Sequence, residues 1–327
     1  MSALCGTTLH LLGHFNDQYT GAERELLDIR ALVAGRRPVK LWSDVSPHSG
    51  HASKGVLGIK PFARQFPSDG VLLVAGVHVG LDIWLQYTRF ERVILLYNLA
   101  SHERLFARIE QLRALTGCEP ELVFVSTALQ LSVGLPGRVI NSVIDLQPFL
   151  AIDRAATPVR PFTVGRLSRD IEGKHHAQDA SLYRMLAARG VLVRIMGGTC
   201  LAAQLAGVDG VELLPAGALA ADKFLRNIDL FFYRTGASVE AYGRVVVEAM
   251  AAGLPVVAGA TGGYAEVIRP GVTGVLVNSQ EQAFDAIMAA SGANAPVAQI
   301  GAVARQDAIS RHGPAANELL IRNWLLS

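Results

Sequence analysis

The chain lacks the residue patterns of most metal-dependent and phosphate-loop enzymes. Its three cysteines (Cys5, Cys118 and Cys200) are widely spaced and form no CxxC pair, which fits a reducing compartment. The nine histidines form no HExxH, and no Asp-x-Asp triplet offers paired carboxylates to Mn²⁺. The sequence also has no GxGxxG after its first strand, no GxxxxGK[ST] and no GxSxG. These absences favour a metal-free mechanism, and neither a bound metal nor a cofactor is expected.

Long apolar runs and a large charge of one sign are missing as well. No segment reaches the ~18 uninterrupted apolar residues of a spanning helix, and residues 71–85 are interrupted by His78 and Asp82. The first apolar stretch has no basic region before it, so we expect a cytoplasmic protein. The net charge of +2 gives no argument for nucleic acid. A weak peripheral contact with the inner face of an anionic membrane stays open because four arginines cluster, although a solvated helix end is the simpler interpretation: Arg24, Arg30, Arg36 and Arg37.

Hydrophobic residues make up 50% of the 327 residues and follow an alternation of strands and helices. Continuous apolar runs of this kind are typical of strands buried on both faces. The pattern predicts an α/β fold with parallel sheets. Prolines between 147 and 161 predict a boundary, with one domain over 1–155 and another over 156–313. The predicted strands cover residues 8–12, 39–42, 71–75, 93–97, 122–126, 162–164, 192–196, 211–214, 230–232, 256–258 and 275–277, and the predicted helices include 22–34, 101–115 and 317–326.

The segment 234–277 carries the strongest functional signal. It reads RTGASVEAYGRVVVEAMAAGLPVVAGATGGYAEVIRPGVTGVLV, and its acids Glu240 and Glu248 stand eight positions apart. A short loop after Glu240 leads into a helix predicted over 244–252, which ends at Gly253. A short apolar strand and a glycine-rich turn follow.

The start of that helix is predicted to bind an anion. The free amides near Gly243, Arg244 and Val245 point along a helix dipole that favours negative charge. Gly243 has no Cβ, so a ligand can approach its backbone closely. Glu240 precedes the helix and Glu248 lies in its second turn, so both carboxylates can reach one ligand there. Carboxylates accept hydrogen bonds, which suits hydroxyl-rich ligands such as sugars and ribose.

This segment resembles the E-x7-E segment of retaining GT-B glycosyltransferases, especially glycosyltransferase family 4. The resemblance continues through Gly262 and Gly263 and through residues 266–268 and 271–274. It implies two Rossmann-like domains that face each other across a cleft, the second binding a nucleotide-diphosphate sugar and the first shaping the acceptor site. It also implies that a last helix, at about 314–327, packs back on the first domain. In such a site Glu248 would hold the ribose of the nucleotide, and Glu240 would orient the donor sugar.

The resemblance assigns further donor-side residues in the second half. Arg166, at a strand end, and Lys174 stand where the family holds the donor diphosphate with an arginine and a lysine. The usual order is lysine before glycine, whereas here Gly173 precedes Lys174. Gly197 and Thr199 follow a strand in a region that lies near the nucleotide in similar proteins. An ion pair at a strand end is the structural alternative for Arg166, and a tight turn is the alternative for Gly197.

The first half matches the family less well. Gly21 and His14 lie where the family has a glycine-rich loop between donor and acceptor, and a structural role is the alternative for His14. Family members often carry a functional histidine or aspartate after a middle strand, but here Tyr97 and Asn98 occupy that place, followed by His102. The acceptor-side catalytic residue is therefore not identified by the resemblance.

The sequence as a whole predicts a metal-independent glycosyltransferase in glycan or glycoconjugate synthesis. It would move a sugar, with retention, from a nucleotide-diphosphate sugar to a saccharide, a lipid-linked acceptor or a small molecule. Three alternatives stay open: a nucleotide-sugar epimerase of the same fold, a non-catalytic nucleotide-sugar-binding protein, and an NAD-dependent Rossmann enzyme. The absence of a fingerprint glycine pattern argues against the last of these.

Overall fold

The computed structural model describes residues 6–17, 20–154 and 160–325. The chain divides into two compact units. Unit 1 comprises Met1–Ile144 together with Pro314–Ser327, and unit 2 comprises Asp145–Gly313. The roles expected of the two domains, acceptor side and donor side, stay predictions.

Unit 1 is built on a seven-stranded parallel sheet with the order β3-β2-β1-β4-β5-β6-β7. The central strands are buried on both faces, with Leu9, Leu11 and Leu12 of β1 inaccessible to solvent. The strands are β1 (Leu9–Gly13), β2 (Val39–Ser43), β3 (Val56–Gly58), β4 (Val71–Ala75), β5 (Arg92–Tyr97), β6 (Glu121–Phe124) and β7 (Arg138–Val139). The helices are α1 (Gly21–Val33), α2 (Ser49–Ala52), α3 (His102–Thr116) and α4 (Thr127–Val133), with short 3-10 helices at Pro61–Ala63 and Ile83–Tyr87.

The last part of the chain completes unit 1. A C-terminal helix (Pro314–Leu320) continues as a π-helical segment (Ile321–Leu325) in which Trp324 is fully buried. Arg37, just after α1, donates through Nη1 to the carbonyl oxygen of Leu325 at 2.6 Å. Arg37 is therefore buried, and the interpretation of its cluster as a solvated helix end is wrong for this residue. Leu326, the end of the predicted helix, lies outside the described residues.

Unit 2 is built on a six-stranded parallel sheet with the order β10-β9-β8-β11-β12-β13. Its core joins apolar side chains of the strands to the helices that cover them, among them Leu182, Ile195 and Phe232. The strands are β8 (Thr163–Leu167), β9 (Leu192–Met196), β10 (Val211–Leu214), β11 (Leu230–Tyr233), β12 (Val256–Gly259) and β13 (Gly274–Val277). The helices are α5 (Gln147–Leu150), α6 (Asp179–Ala187), α7 (Ala202–Leu205), α8 (Ala221–Arg226), α9 (Arg244–Ala251), α10 (Gln280–Ser291) and α11 (Val297–His312), with 3-10 helices at Glu172–Lys174, Thr199–Leu201 and Gly263–Val267.

Each sheet reverses its strand order at one point. In unit 1 the chain winds outward from β1 to β3 and then returns to place β4 on the other side of β1. In unit 2 the same reversal falls between β8 and β11. Loops that leave the carboxyl ends of two such strands diverge and open a crevice, which is where α/β proteins bind ligands. The predicted α/β fold with parallel sheets is confirmed.

Within the described residues, no helix combines the length and the apolar character needed to cross a membrane.

Candidate functional site

Lys174 and Glu240 meet at the reversal point of unit 2. Lys174 ends the loop that leaves β8, and Glu240 lies in the loop that leaves β11. The Nζ of Lys174 is 2.7 Å from the Oε2 of Glu240, and the two side chains are 13% and 19% exposed. The Tyr233 hydroxyl donates to the same carboxylate oxygen at 2.8 Å. Burial raises the pKa of Tyr233 well above its ordinary value, so the phenol keeps the proton that it donates to Glu240.

Two glycine turns hold Glu240 beside the start of α9. The amide of Gly263 donates to the Glu240 carbonyl oxygen at 2.9 Å. Gly243, which caps α9, has a φ of +85°, and a Cβ built on it would lie under 3.0 Å from the Cβ of Tyr264. A Cβ on Gly263 would lie equally close to the carbonyl of Ala241. The backbone conformation and the contact therefore both require glycine at position 243.

The remaining predicted residues of this motif lie on α9 itself. Arg244 and Val245 form its first turn and are partly exposed. The first turn of a helix is its positive end, which favours a negative group beside it. Glu248 lies in the second turn, on the buried side of α9, and is 2% exposed. The structure thus places a carboxylate, a lysine and the positive end of a helix around one loop.

Arg166 lies beneath this loop rather than on its surface. Its side chain is 1% exposed, and its Nη2 donates to the carbonyl oxygen of Lys174. The guanidinium carbon lies 4.7 Å from the centre of the Tyr233 ring. Its Nη1 is 3.9 Å from the Oδ2 of Asp179, a fully buried carboxylate that also accepts from Arg234 at 2.7 Å. Arg166 thus contacts the backbone of Lys174 and the ring of Tyr233, and its contact with a diphosphate stays a prediction.

Sequence reasoning missed this supporting layer. Tyr233 ends an apolar strand, whereas Asp179 and Arg234 form a buried ion pair. These residues are up to 55 positions apart, so the sequence shows no local pattern that links them. The available signal was a tyrosine and an arginine, at positions 233 and 234, directly after the predicted strand 230–232.

Gly197 and Thr199 lie on the neighbouring loop after β9. Gly197 has a φ of +81°, and a Cβ on it would lie under 3.0 Å from the carbonyl oxygen of Ser168. Its own carbonyl accepts from the Nε2 of His175 at 2.9 Å, which fixes the imidazole as the Nε2–H tautomer. The Thr199 hydroxyl donates to Asp170. Gly197 therefore forms the tight turn that was the alternative prediction, and its contact with a nucleotide stays untested.

His175 is held neutral beneath the site. Burial, with the nearby Arg166 charge as a second cause, lowers the pKa of His175 from 6.5 to about 4. His175 directly follows Lys174, so a change in the protonation of His175 would affect the loop that carries the lysine.

The predicted residues of unit 1 divide between two places. His14 directly follows β1, and its Nδ1 is 2.8 Å from the Oδ1 of Asp44, which follows β2. The Asp44 side chain is 5% exposed and its other oxygen accepts from the amide of Gly80, after β4. His14 is 34% exposed and lies at the reversal point of unit 1. Gly21 is the first residue of α1 and is exposed.

Asn98 forms a separate polar contact after β5. Its Nδ2 donates to the Oε2 of Glu25 on α1 at 2.9 Å. The other oxygen of Glu25 accepts from the amide of Val143 at 3.2 Å. The Tyr97 hydroxyl accepts from the amide of Ser101 at 2.7 Å. Glu25 therefore joins Asn98 and the backbone at Val143 to α1, while Tyr97 contacts the backbone just before α3.

No group of three or more His, Cys, Asp or Glu side chains that could hold a metal ion occurs in the part of the chain that the structure describes.

The chain is similar to known glycosyltransferases. Residues 189–295, within unit 2, match the family of glycosyl transferases group 1. HepE of Anabaena in complex with UDP-glucose has 16% identity and a TM-score of 0.72 over 97% of this chain and 98% of its own. A glycosyltransferase from Rickettsia africae ESF-5 has 15% identity and a TM-score of 0.71 over 98% and 97%. WaaG, a glycosyltransferase involved in lipopolysaccharide biosynthesis, has 16% identity and a TM-score of 0.67 over 95% and 97%. No curated protein matches the chain.

The solved structures share the fold of this chain, and the family match covers β9 to α10 of unit 2. The predicted glycosyltransferase with a GT-B fold is confirmed.

Proposed function

We propose that this glycosyltransferase moves a sugar from a nucleotide-diphosphate sugar to an acceptor hydroxyl, with unit 2 binding the donor and without a metal ion. The observation that carries the proposal is the contact of 2.7 Å between Lys174 and Glu240 beside the start of α9. It puts a cation, a carboxylate and the positive end of a helix at the reversal point of one sheet. That is the chemistry needed to hold a charged leaving group next to a hydroxylated sugar.

Lys174 and the first turn of α9 would stabilise the departing diphosphate. Negative charge builds on the diphosphate as the glycosidic bond breaks, and fixed cations and oriented amides lower the energy of that state. The Gly243 backbone lets the phosphate approach the amides of Arg244 and Val245. Arg166 holds the carbonyl of Lys174 and so keeps the lysine backbone in place. Such an arrangement supplies the positive charge that a divalent ion supplies in metal-dependent transfer.

The two glutamates would divide the donor between them. Glu240 has one oxygen engaged by Lys174 and Tyr233, which fixes the carboxylate for contact with sugar hydroxyls. When Lys174 moves to contact a diphosphate, Glu240 would keep its hydrogen bond from Tyr233 and accept new ones from the sugar. Glu248 would accept the ribose hydroxyls. The similarity to HepE, whose structure holds UDP-glucose, makes UDP-sugars the first donors to test.

The acceptor would be positioned by His14 in unit 1. Asp44 takes the Nδ1–H of His14, so Nε2 is left as an acceptor for a hydroxyl hydrogen. Gly21, at the start of α1, and Asn98, directly after β5, would be further acceptor-side residues of unit 1. We infer a saccharide or lipid-linked acceptor in bacterial glycan synthesis on the cytoplasmic side, and transfer with retention of the anomeric configuration, as the E-x7-E resemblance implies.

A thermal-shift panel of UDP, dTDP, GDP, ADP and CDP with EDTA present tests the donor site. Saturation at ~100 times the dissociation constant should stabilise the protein by about 2.7 kcal/mol, or a few degrees. A shift with one base supports a metal-free donor site, whereas no shift with any base at millimolar concentration contradicts it. Incubation with the matching nucleotide sugar and no acceptor then separates the alternatives, since an epimerase changes the sugar and a transferase requires an acceptor. The anomeric proton of the transferred sugar, observed by NMR, tests retention.

A further inference from the structure

A fully exposed phenylalanine stands at the tip of a rigid hairpin in unit 1. Lys60 and Gln65 pair antiparallel, with backbone hydrogen bonds of 2.8 and 3.1 Å in the two directions. The turn between them carries Phe62, whose relative exposure is 107%. Arg64 closes the turn with a φ of +53°, a conformation that costs a non-glycine residue about 1–2 kcal/mol. The fold thus holds an apolar side chain in water on a constrained support.

A second exposed apolar segment is joined to this hairpin. The 3-10 helix Ile83–Tyr87 exposes Ile83 by 55% and Tyr87 by 76%. Between them Trp84 is buried, and its ring contacts that of Phe66, which directly follows the hairpin, with ring centres 5.6 Å apart. The amide of Arg89 also donates to the carbonyl of Ser68 at 3.1 Å. The two segments are therefore in contact, and we call their exposed apolar side chains, Phe62, Ile83 and Tyr87, the hairpin patch.

The charges of the hairpin patch favour an anionic surface. Exposed cations flank the apolar side chains at Lys60, Arg64 and Arg89, against one acid, Asp82, in residues 60–66 and 82–89. Asp82 accepts from the amide of Ile83 at 2.6 Å, so it is engaged in capping the 3-10 helix. Two of the cations, Lys60 and Arg64, stand two positions from Phe62 in the same turn. A protruding aromatic ring between cations fits the interface of an anionic bilayer, where the ring enters the headgroup region and the cations meet phosphates.

We propose that the hairpin patch docks unit 1 on an anionic lipid bilayer through Phe62, Ile83, Tyr87, Lys60 and Arg64. A protruding tip needs a matching pocket to be buried by a protein partner, whereas a bilayer interface accepts it without one. Two of the four arginines clustered in the sequence are engaged within unit 1, because Arg37 is buried and Arg36 pairs with Glu318 at 2.8 Å. The proposal does not depend on the donor site of unit 2.

Co-sedimentation of the full chain with vesicles tests the docking. Vesicles of equimolar phosphatidylcholine and phosphatidylglycerol should bind the protein, and pure phosphatidylcholine vesicles should bind it at least about fivefold less, since each cation near an anionic surface contributes to binding. Phe62→Ser should weaken binding about tenfold, because the ring can no longer be buried. Lys60→Glu with Arg64→Glu should abolish the preference for the anionic lipid. High salt should have the same effect in the wild type.

The matched control is Leu131→Ser on α4, another apolar side chain with 75% exposure. It should bind vesicles as the wild type does, and thermal melts should show that all variants are folded. Equal binding of wild type and Phe62→Ser, or equal binding to neutral and anionic vesicles, would overturn the proposal. A further outcome would also overturn it: no vesicle binding, together with concentration-dependent dimers that dissociate in Phe62→Ser. A second copy of the chain would then be the partner.

Discussion

The reversal points of the two sheets carry different chemistry. In unit 2 the site groups are ionic and interlocked: Lys174 contacts Glu240, and Arg166 lies beneath both. In unit 1 the exposed group is an imidazole, His14, oriented by a buried carboxylate, Asp44. The first arrangement suits a ligand whose charge changes during the reaction, and the second suits a neutral hydroxyl that must be aligned.

The difference shows how one fold can present two chemically different sites. Both sheets offer the same crevice, since strand order alone creates it. What enters the crevice is set by the side chains of the two loops beside it. Unit 2 adds the positive end of a helix at Gly243, whereas in unit 1 the loop after β1 turns through a buried Phe15 and reaches α1 only at Gly21. Variants at each point can therefore separate donor chemistry from acceptor alignment.

The largest effect is expected for Glu240→Gln. The amide keeps the size of the side chain but loses the charge that faces Lys174, so transfer should fall at least ~100-fold. Nucleoside diphosphate affinity, measured by calorimetry, should change little, because the diphosphate is held by Lys174 and α9. Glu248→Ala should weaken the nucleotide instead. The exposed Glu281→Gln on α10 is the control, and wild-type transfer by Glu240→Gln would contradict the assignment.

A second variant tests the neutral histidine beneath the donor site. His175 has a pKa of about 4 in the folded protein and an ordinary value of 6.5 when unfolded. Between these values the unfolded chain binds the extra proton, so the free energy of unfolding should drop as pH falls from 6.5 to 4, by up to about 3 kcal/mol. Chemical denaturation of His175→Gln should show a shallower loss over that window. The exposed His102→Gln should keep the wild-type slope.

A third variant tests the glycine that caps α9. Gly243→Ala adds a Cβ under 3.0 Å from Tyr264 at a positive φ, so unit 2 should lose about 2 kcal/mol or more. Gly271→Ala is the control: its φ is +76° but no atom lies within 4 Å of the added Cβ. It should cost about 1 kcal/mol, from backbone strain alone. Equal costs in urea titrations would show that Tyr264 moves aside.

The smallest effect is expected in unit 1. Asp44→Asn should loosen the orientation of His14 and lower kcat/KM for the acceptor about tenfold, the effect of losing one charged hydrogen bond. The dissociation constant of the nucleoside diphosphate should be unchanged. An equal loss of donor affinity would show that the two reversal points are not separate in function.

The sheets and the donor motif were readable from the sequence because their signals are local. The predicted strands 71–75, 192–196 and 211–214 coincide with β4, β9 and β10, since buried parallel strands are continuous apolar runs. Helix α9 begins at the predicted Arg244, set by the positive φ of Gly243. The edge strands β3 and β7 were not predicted, because each is short and packs little apolar surface.

The support of the site was not readable, because it joins distant parts of the chain. Asp179 reaches Arg234 across 55 positions, and Asp44 reaches His14 across 30. From sequence alone, charged residues of this kind are expected to be solvent-exposed, and only the folded structure shows that they are buried. Arg166 shows the limit most clearly: its place at a strand end was predicted, but its burial depends on the ring of Tyr233, which comes from another strand.

Unit 1 is completed by residues that follow unit 2 in the chain. Trp324 and Leu325 are buried in it, and the carbonyl of Leu325 accepts a hydrogen bond from Arg37, which follows α1. Residues 1–144 are therefore synthesised before unit 2, whereas the segment that completes their core is synthesised after it. We expect unit 1 to acquire its full core only after unit 2 has left the ribosome. Deletion of residues 321–325 should destabilise unit 1 and leave unit 2 largely intact.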